Sequence, residues 1–315
     1  MNYIVFDLEW NQCPFGKEKE NRRLPFEIIE IGAVRMNEKK EILDTFHQYI
    51  RPKVYRQMHY RTQQVVNIPM STLKKEGVPF PKAAQAFKEF CGEDFRFCTW
   101  GPLDISELLR NLKFYKLENT LDAPLFYEDV QKLFALTYET KTERRALSYA
   151  ADFLKLKEEG DFHHALDDAL YTAKVLATIP DEMILENYSV DYFKLPDHKT
   201  KEWQIRYKDY EKCISHAFAT REKLSEDKDV FAIHCFECGR TLRKKVRWFA
   251  LNGRVHEAVG VCPEHGFVQS KIRVKKTDDH KVFAVKTTKM INEEKMLEIR
   301  EHRNELKYKH KKLKG

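Results

Sequence analysis

The first strand-like segment of the chain ends in two carboxylates. Residues 3–6 read Tyr-Ile-Val-Phe and suit a buried strand, and Asp7 and Glu9 follow with one leucine between them. Side chains in a strand alternate between its two faces, so both acids point to the same side. Burying two like charges so close together is costly unless they are paired or bind a metal ion. For this motif alone, acids at the surface end of a strand are the simpler interpretation.

Two further motifs contain residues that a carboxylate site needs. In TWGPLD, Asp104 follows a short strand and heads a helix, and in HHALDD two histidines and two acids open a late helix. The late motif supplies His163, His164, Asp167 and Asp168. Functional side chains concentrate at such element ends. Each acid is also an acceptable helix N-cap, so capping is the simpler interpretation when each is taken singly.

Together the acids indicate a chemistry. Mg²⁺ and Mn²⁺ prefer carboxylate oxygens and water as ligands, so four clustered acids suit them. Two such ions about 3.5–4 Å apart assist phosphodiester hydrolysis, because they activate a water molecule and stabilise the leaving oxygen. They would also neutralise the repulsion between Asp7 and Glu9.

The set D-x-E, a mid-domain Asp heading a helix and H-x-x-x-x-D resembles the DnaQ-like, or DEDDh, family of 3′→5′ exonucleases, over roughly residues 1–180. The segments TWGPLD and YIRP are most similar to its KapD and Eri-type branch, which includes RNA 3′-end trimming enzymes. The resemblance implies an RNase H-like fold and release of nucleoside 5′-monophosphates from a 3′ end. It also implies that Asp7, Glu9 and Asp168 hold the ion that binds the attacking water. Asp7 and Asp104 would hold the second ion.

The resemblance further implies that His163 accepts the proton of the attacking water, which suits an imidazole near neutral pH. His164 is one residue out of register with the motif, and Asp167 is interpreted as a cap or a supporting residue. Trp10 and Asn11 stand where many members have Thr, and we take both as candidate substrate-binding residues. Trp10 would stack on the terminal base, with a core or rim tryptophan as the alternative.

The elements that must position these residues form an α/β domain over residues 1–180. The segments EIIEIGAVRMN and EILDTFHQYI predict a hairpin that follows the first strand. Strand and helix segments then alternate, and the last two helices show clear helical periodicity. We therefore predict an RNase H-like mixed sheet of five strands flanked by helices.

A second metal site is predicted near the C-terminus. Cys235-x-x-Cys238 and Cys262-x-x-His265 are each followed by glycine and are separated by a β-like insert. Two such knuckles are typical of a zinc ribbon with one structural Zn²⁺ ion. His256 is the alternative fourth ligand, and a chance cluster of reduced cysteines is the simpler interpretation.

Charge divides the chain into an acidic front and a basic back. The net charge is +7, with −5 on residues 1–198 and +12 on residues 199–315. We expect a helical linker over 181–230, a small zinc-ribbon-like β domain over 231–285 and a basic helical tail over 286–315. The basic segments around the knuckles include Trp248 and Phe249, which predicts a module that grips nucleic acid through phosphates and stacking. A ribbon that docks on a protein is the competing interpretation.

These features predict a 3′→5′ exonuclease acting on single-stranded nucleic acid, with RNA favoured. A DNA proofreading or repair exonuclease and an inactive nucleic-acid-binding scaffold are the alternatives. No apolar stretch approaches the ~20 residues of a membrane helix, and Cys13, Cys91, Cys98 and Cys213 are scattered as free thiols would be. With no signal-peptide pattern at the start, we expect a cytoplasmic protein without a membrane partner.

Overall fold

The computed structural model describes residues 1–66, 68–118, 121–139, 143–156 and 164–312, with side chains described through residue 309. The chain divides into two compact units, Met1–Phe193 and Lys194–Gly315. None of the helices in these described ranges has both the length and the hydropathy needed to cross a bilayer.

Unit 1 is built on one mixed sheet. Its strands are β1 Asn2–Gln12, β2 Phe26–Met36, β3 Ile42–Tyr49, β4 Phe95–Thr99, β5 Phe126–Asp129 and β6 Ser189–Val190. Their order is β3-β2-β1-β4-β5-β6, in which β4 lies parallel to β1 and to β5, and the other neighbours are antiparallel. The predicted mixed α/β sheet is confirmed. The two-residue strand β6 makes it six-stranded rather than five-stranded, because a strand so short shows no periodicity in the sequence.

Eight helices of the described residues pack around this sheet. They are α1 Tyr60–Val65, α2 Met70–Glu76, α3 Phe80–Cys91, α4 Leu103–Phe114, α5 Val130–Tyr138, α6 Leu147–Phe153, α7 Ala165–Thr178 and α8 Asp181–Glu186. The side chains of β1 alternate between two cores, as a central strand requires. Ile4, Phe6 and Leu8 pack against α3 and α4, whereas Tyr3 and Val5 pack with α5, α6 and α7. The odd-numbered residues of β1 therefore face α7.

Unit 2 is built on a six-stranded antiparallel sheet. Its strands are β7 Trp203–Arg206, β8 Tyr210–Ile214, β9 Arg243–Ala250, β10 Val255–Cys262, β11 Gly266–Lys276 and β12 Val282–Ile291, in the order β7-β8-β12-β11-β10-β9. The sheet therefore extends beyond the small ribbon expected over residues 231–285. A short helix, α9 Arg221–Glu226, precedes β9, and α10 Glu293–Lys312 ends the described chain.

Within the helical linker expected over residues 181–230, the structure has the strands β7 and β8 instead of a helix. Trp203 and Ile205 alternate with polar residues, and β7 and β8 pair as a hairpin with Ile205 opposite Lys212. Period-two alternation buries Ile205 and Ile214 in the sheet, and this outweighed the helix-prone composition of the segment. Helix α10 lies within the basic helical tail expected over residues 286–315, and β12 occupies the first residues of that range.

Candidate active site and metal centres

Asp7 and Glu9 lie on the face of β1 that α7 covers. In the β1–β2 register, Asp7 is opposite Gly32 and Glu9 is opposite Glu30. Both acids are half-buried, while Phe6 and Leu8 on the other face are buried. The ladder shifts by one residue directly after Glu9, which is where pairing irregularities commonly redirect a strand beside a functional site. The predicted orientation of the two acids to one side is what the sheet shows.

Asp104 approaches β1 from the open side of the strand. The parallel pairing of β1 with β4 extends only to Val5 opposite Cys98, so it does not reach the backbone of Leu8. Asp104 is the second residue of α4, and its Oδ1 accepts a hydrogen bond from the N–H of Leu8 at 3.2 Å. Asp104 is not the N-cap of α4, because Pro102 holds that position. Its carboxylate instead accepts the hydrogen bond from strand β1.

Asp168 reaches the same place from the first turn of α7. One carboxylate oxygen each from Asp7, Glu9 and Asp168 lie within 4.8 Å of one another, a group that can hold a metal ion. The start of α7 comes this close because Gly32 has no side chain. A Cβ at residue 32 would lie 2.1 Å from the carbonyl carbon of Ala165 and 2.1 Å from the N of Leu166.

The electrostatics of the cluster are strongly unfavourable without a cation. Loss of hydration, and then the charges of Asp104, Glu9 and Asp168, raise the pKa of Asp7 well above its ordinary value. Loss of hydration, and then the charges of Asp168, Glu30 and Asp104, raise the pKa of Glu9 to about 9. Loss of hydration also raises the pKa of Asp104 to about 7, although backbone hydrogen bonds, including that from Leu8, oppose it. No described lysine or arginine forms an ion pair with these three acids. A donor set of hard oxygens with unbalanced negative charge fits divalent cations such as Mg²⁺ or Mn²⁺.

Glu30 is a member of the site's surroundings that the sequence analysis missed. It is fully buried, lies 2.6 Å through Oε1 from Nε2 of His47, and accepts a hydrogen bond at Oε2 from the N–H of Ala165 at 3.2 Å. It thereby ties strand β2 to the first residue of α7. The signal that could have identified it is its position within the apolar run FEIIEIGAV. A charged residue buried in such a strand needs a partner or a metal ion, so it indicates a specific interaction.

The histidine motif is only partly described. His163, the predicted proton acceptor, lies outside the described residues. His164 is half-buried at the N-cap position of α7, and its Nδ1 lies 3.9 Å from Oε1 of Glu30. Asp167 lies in the first turn of the same helix, outside the group of three clustered carboxylates.

Asn11 is a structural residue, which corrects its assignment to substrate binding. It is fully buried, and its side-chain amide donates to the carbonyls of Tyr55 at 3.1 Å and Gln57 at 2.8 Å. Its Oδ1 accepts from the N–H of His59 at 2.9 Å. These hydrogen bonds hold residues 55–59 against β1. Because they use the amide and the oxygen of the side chain, Asn11 has no group free to bind substrate. Trp10 is half-buried and packs on Phe26 at 5.7 Å, so it remains a candidate rim residue.

The four predicted zinc ligands converge in unit 2. Cys235, Cys238, Cys262 and His265 place their ligand atoms within 4.8 Å of one another. The sulfurs of Cys238 and Cys262 are 3.9 Å apart, and Nδ1 of His265 lies 3.6 Å and 3.5 Å from the sulfurs of Cys235 and Cys262. Tetrahedral Zn²⁺ with bonds of about 2.3 Å to sulfur and 2.0–2.1 Å to nitrogen requires separations of about 3.8 Å and 3.5 Å. The donor set therefore fits zinc.

His256, the alternative ligand, lies elsewhere. It stands on β10 with its ring 6.2 Å from that of Phe231, and burial lowers its pKa. The two aromatic residues predicted to stack on bases are packed against other parts of unit 2. Trp248 donates its indole N–H to the carbonyl of Phe231 at 2.8 Å, and Phe249 packs with the core under α10. Both are half-buried, so the stacking part of the sequence hypothesis is not supported.

Comparisons with known proteins address unit 1. Residues 4–176 match the family model described as Exonuclease. The probable 3′-5′ exonuclease KapD of Bacillus subtilis (strain 168) is 28% identical over 188 residues, which are 58% of this chain and 87% of KapD. The nuclease domain of 3′hExo, described as a DEDDh family member bound to rAMP, gives a TM-score of 0.49 at 20% identity over 61% of this chain and 96% of that chain. A full-length 3′-exonuclease gives 0.48 at 22% identity over 56% and 80%.

The mixed sheet with acids converging beside its central strand defines an RNase H-like nuclease. Because the family model spans more than half of the chain, the chain belongs to the exonuclease family. The predicted family and the predicted 3′–5′ exonuclease class are confirmed. The matched residues end before unit 2 begins.

Proposed function

We propose that this protein is a metal-dependent exonuclease that removes nucleotides from the 3′ end of single-stranded nucleic acid, with RNA favoured over DNA. The observation that carries the proposal is the convergence of Asp7, Glu9 and Asp168 within 4.8 Å, beside the buried Asp104. Acids whose pKa values are raised by one another form a costly arrangement in a protein that does not bind cations.

Asp7, Glu9 and Asp168 would hold one divalent ion, and Asp7 with Asp104 would hold a second. When bound, the two ions supply activation of a water molecule and stabilisation of the leaving 3′-oxygen. The hydrogen bond from Leu8 to Asp104 keeps that carboxylate aimed at β1. Glu30 keeps the start of α7 on β2 and thereby positions Asp168. The protein's own task is to hold the acids in place before the substrate arrives.

The role of His163 as proton acceptor remains part of this proposal, on the strength of its five-residue spacing from Asp168. An imidazole is half-protonated near pH 6.5, so it can take a proton from water at neutral pH. The product would be a nucleoside 5′-monophosphate.

We also propose one structural Zn²⁺ ion on Cys235, Cys238, Cys262 and His265. All four positions are filled by protein ligands, which is typical of structural rather than catalytic zinc. A hydrogen-bond network that includes the backbone of Glu264 and His265 outweighs burial and lowers the pKa of Cys262 to about 6. A reducing compartment would keep these thiolates available, in accord with a cytoplasmic location.

The preference for RNA rests on the likeness of TWGPLD and YIRP to the KapD and Eri-type branch. A proofreading or repair role on DNA would use the same acids and is the alternative outcome. An inactive scaffold is disfavoured, because mere binding of a polyanion does not call for clustered carboxylates.

The test is digestion of matched single-stranded RNA and DNA, each labelled at the 5′ end, with Mn²⁺ present. Wild type is compared with Asp7→Asn and with Asp167→Asn, a matched carboxylate-to-amide change in the same site region. We expect a ladder that shortens from the 3′ end with wild type and Asp167→Asn and is lost with Asp7→Asn. The RNA-to-DNA rate ratio decides the substrate. Equal cleavage by wild type and Asp7→Asn would overturn the assignment of the site.

A further inference from the structure

An edge strand of unit 2 carries a dense group of uncompensated cations. Strand β9 is the last strand of its sheet and pairs only with β10. Arg243, Lys244, Lys245 and Arg247 on this strand are all exposed, and none forms an ion pair or side-chain hydrogen bond with a described residue. We call these four residues the β9 cations.

Acids do not balance the charge of the β9 cations. Residues 238–256 contain six lysines and arginines and no aspartate or glutamate. The nearest acids in sequence are engaged elsewhere. Glu237 pairs with Arg206 at 3.4 Å, and Glu257 is buried and pairs with Lys271 at 3.3 Å. The strand therefore presents four exposed cations that form no ion pair with a described residue.

Protection of an exposed strand edge is the simpler explanation of such residues. Lysines on edge strands deter pairing with other chains. Strand β9 has a much denser arrangement, with four cations in the five positions 243–247. Across the β9–β10 pairing, Arg243 lies opposite Val261 and Lys244 opposite Gly260, so the charges occupy both faces of the strand. Helix α10 packs beside β9, with the ring of His302 6.4 Å from Phe249, and its exposed residues include the cations Arg300, Lys307 and Lys309 as well as Glu301 and Glu305.

We propose that β9 binds the phosphate backbone of single-stranded nucleic acid, at the part of the substrate that lies outside the active site. This inference rests on the proposed function for the identity of the partner. Same-face side chains along a strand recur about every 6.6 Å, so β9 offers an extended row of cations to a flexible polyanion. Because Trp248 and Phe249 are packed in the cores, the contact is with phosphates rather than bases. Binding here is therefore insensitive to base sequence and strongly dependent on salt.

The zinc ligands position this strand. Cys235 and Cys238 lie just before β9. The N–H of Cys235 donates to the carbonyl of Arg240 at 2.9 Å, and the N–H of Leu242 donates to the carbonyl of Ile233 at 2.8 Å. Cys262 ends β10, the strand to which β9 pairs. A Zn²⁺ ion held by these residues would link the segment before β9 to the end of β10.

The test measures binding of a fluorescent single-stranded RNA by anisotropy over a range of salt concentrations. The full chain carries Asp7→Asn to prevent cleavage. The four β9 cations are changed to Gln in one variant. Lys194, Lys201, Lys228 and Lys276 are changed to Gln in the matched control, which loses the same charge from exposed positions elsewhere in unit 2. Zinc content and thermal melting establish that both variants fold.

We expect the β9 variant to bind about 10- to 100-fold more weakly near 0.1 M salt, and its salt slope to fall by about 2–3, since each phosphate contact on a single strand contributes about 0.7. The control should change both quantities far less. Equal effects in the two variants, or none in either, would overturn the inference and leave edge protection or protein docking as the role of β9. Hydrolysis of a trinucleotide separates the two proposals. No cleavage of it by wild type would refute the exonuclease proposal itself, whereas cleavage by wild type together with equal RNA binding by the β9 variant and its control would overturn only the role of β9.

Discussion

Gly32 and Ala165 are in backbone contact at the position opposite Asp7. The carbonyl carbon of Ala165 occupies the space where a Cβ of residue 32 would stand, 2.1 Å from its ideal position. Because Gly32 pairs with Asp7 and Ala165 begins the helix that carries Asp168, this contact sets the separation of the two carboxylates. The geometry of the site thus depends on a residue with no side chain.

Substitution Gly32→Ala tests this dependence. The added methyl group must displace the start of α7, because the atoms in its way are backbone. We expect a loss of about 1–3 kcal/mol in stability, which is typical of overpacking, together with a large loss of nuclease activity. Thermal melting and initial rates measure the two effects. Gly253→Ala is the control, since nothing lies within 4 Å of a Cβ there and its backbone is not left-handed. Wild-type activity in Gly32→Ala would show that α7 is placed by other contacts.

Glu30 is expected to act as a positioning residue for Asp168. In Glu30→Gln the amide oxygen can still accept from Ala165, but the charge that faces His47 is lost. Changes to groups that orient metal ligands typically reduce activity or metal affinity 10- to 100-fold. We predict a fall of about tenfold in kcat with KM for RNA within about twofold and the fold intact. His47→Gln should cause a smaller loss in the same direction. A change confined to KM would place Glu30 in substrate binding instead.

The sequence predicts the site best where chemically suitable residues lie in a segment with clear strand or helix periodicity. Alternation in a strand was sufficient to orient Asp7 and Glu9, and their common direction is observed. Asp104 and Asp168 were found as acids at helix starts. Their approach to β1 depends on the short β1–β4 ladder and on Gly32, and neither is evident without the register of the sheet.

Register also explains the errors. Glu30 was overlooked because its partner Glu9 is more than twenty residues away, and only the pairing of β1 with β2 brings them together. Asn11 stands where many family members have Thr, which points it at the substrate, whereas its side chain bonds to the backbone of residues 55–59. The strands β7 and β8 were missed because their hairpin is stabilised by pairing with β12, a contact at long sequence separation.

The raised pKa values predict how pH affects the metal-free protein. The pKa of Glu9 rises from 4.5 to about 9 on folding, so the folded state binds more protons than the unfolded state between these values. Stability should therefore fall as pH rises across this range. Asp7→Asn removes one charge from the cluster and should stabilise the metal-free protein at pH 8 by roughly 1–3 kcal/mol.

Calorimetry at pH 5 and pH 8, with zinc retained and no Mn²⁺ added, measures this difference. Adding Mn²⁺ should raise the melting temperature of wild type far more than that of Asp7→Asn, because the ion binds only where the charges remain. A wild-type protein that is more stable at pH 8 than Asp7→Asn before Mn²⁺ is added would contradict the account of the cluster.

Zinc should be present at one ion per chain and depend on the four proposed ligands. Replacing Cys238 or Cys262 with Ser should abolish zinc binding and lower the melting temperature of unit 2, because structural zinc contributes to folding free energy. Elemental analysis measures the metal. Cys213→Ala is the control, since burial raises the pKa of that thiol to about 11 and it stands outside the ligand group. Retention of zinc after loss of Cys262 would refute the ligand assignment.

The central claim is that the four acids act together as a metal-dependent catalytic site. Its most direct test is the initial rate of 3′-end cleavage against Mn²⁺ concentration, using zinc-loaded wild type, Asp104→Asn and Asp167→Asn. Asp104 is chosen because it approaches β1 from a different helix than Asp168. We expect saturable rates for wild type and Asp167→Asn, and a rate at least about 100-fold lower for Asp104→Asn at every concentration. A rate for Asp104→Asn equal to that of wild type, or a wild-type rate independent of Mn²⁺, would contradict it.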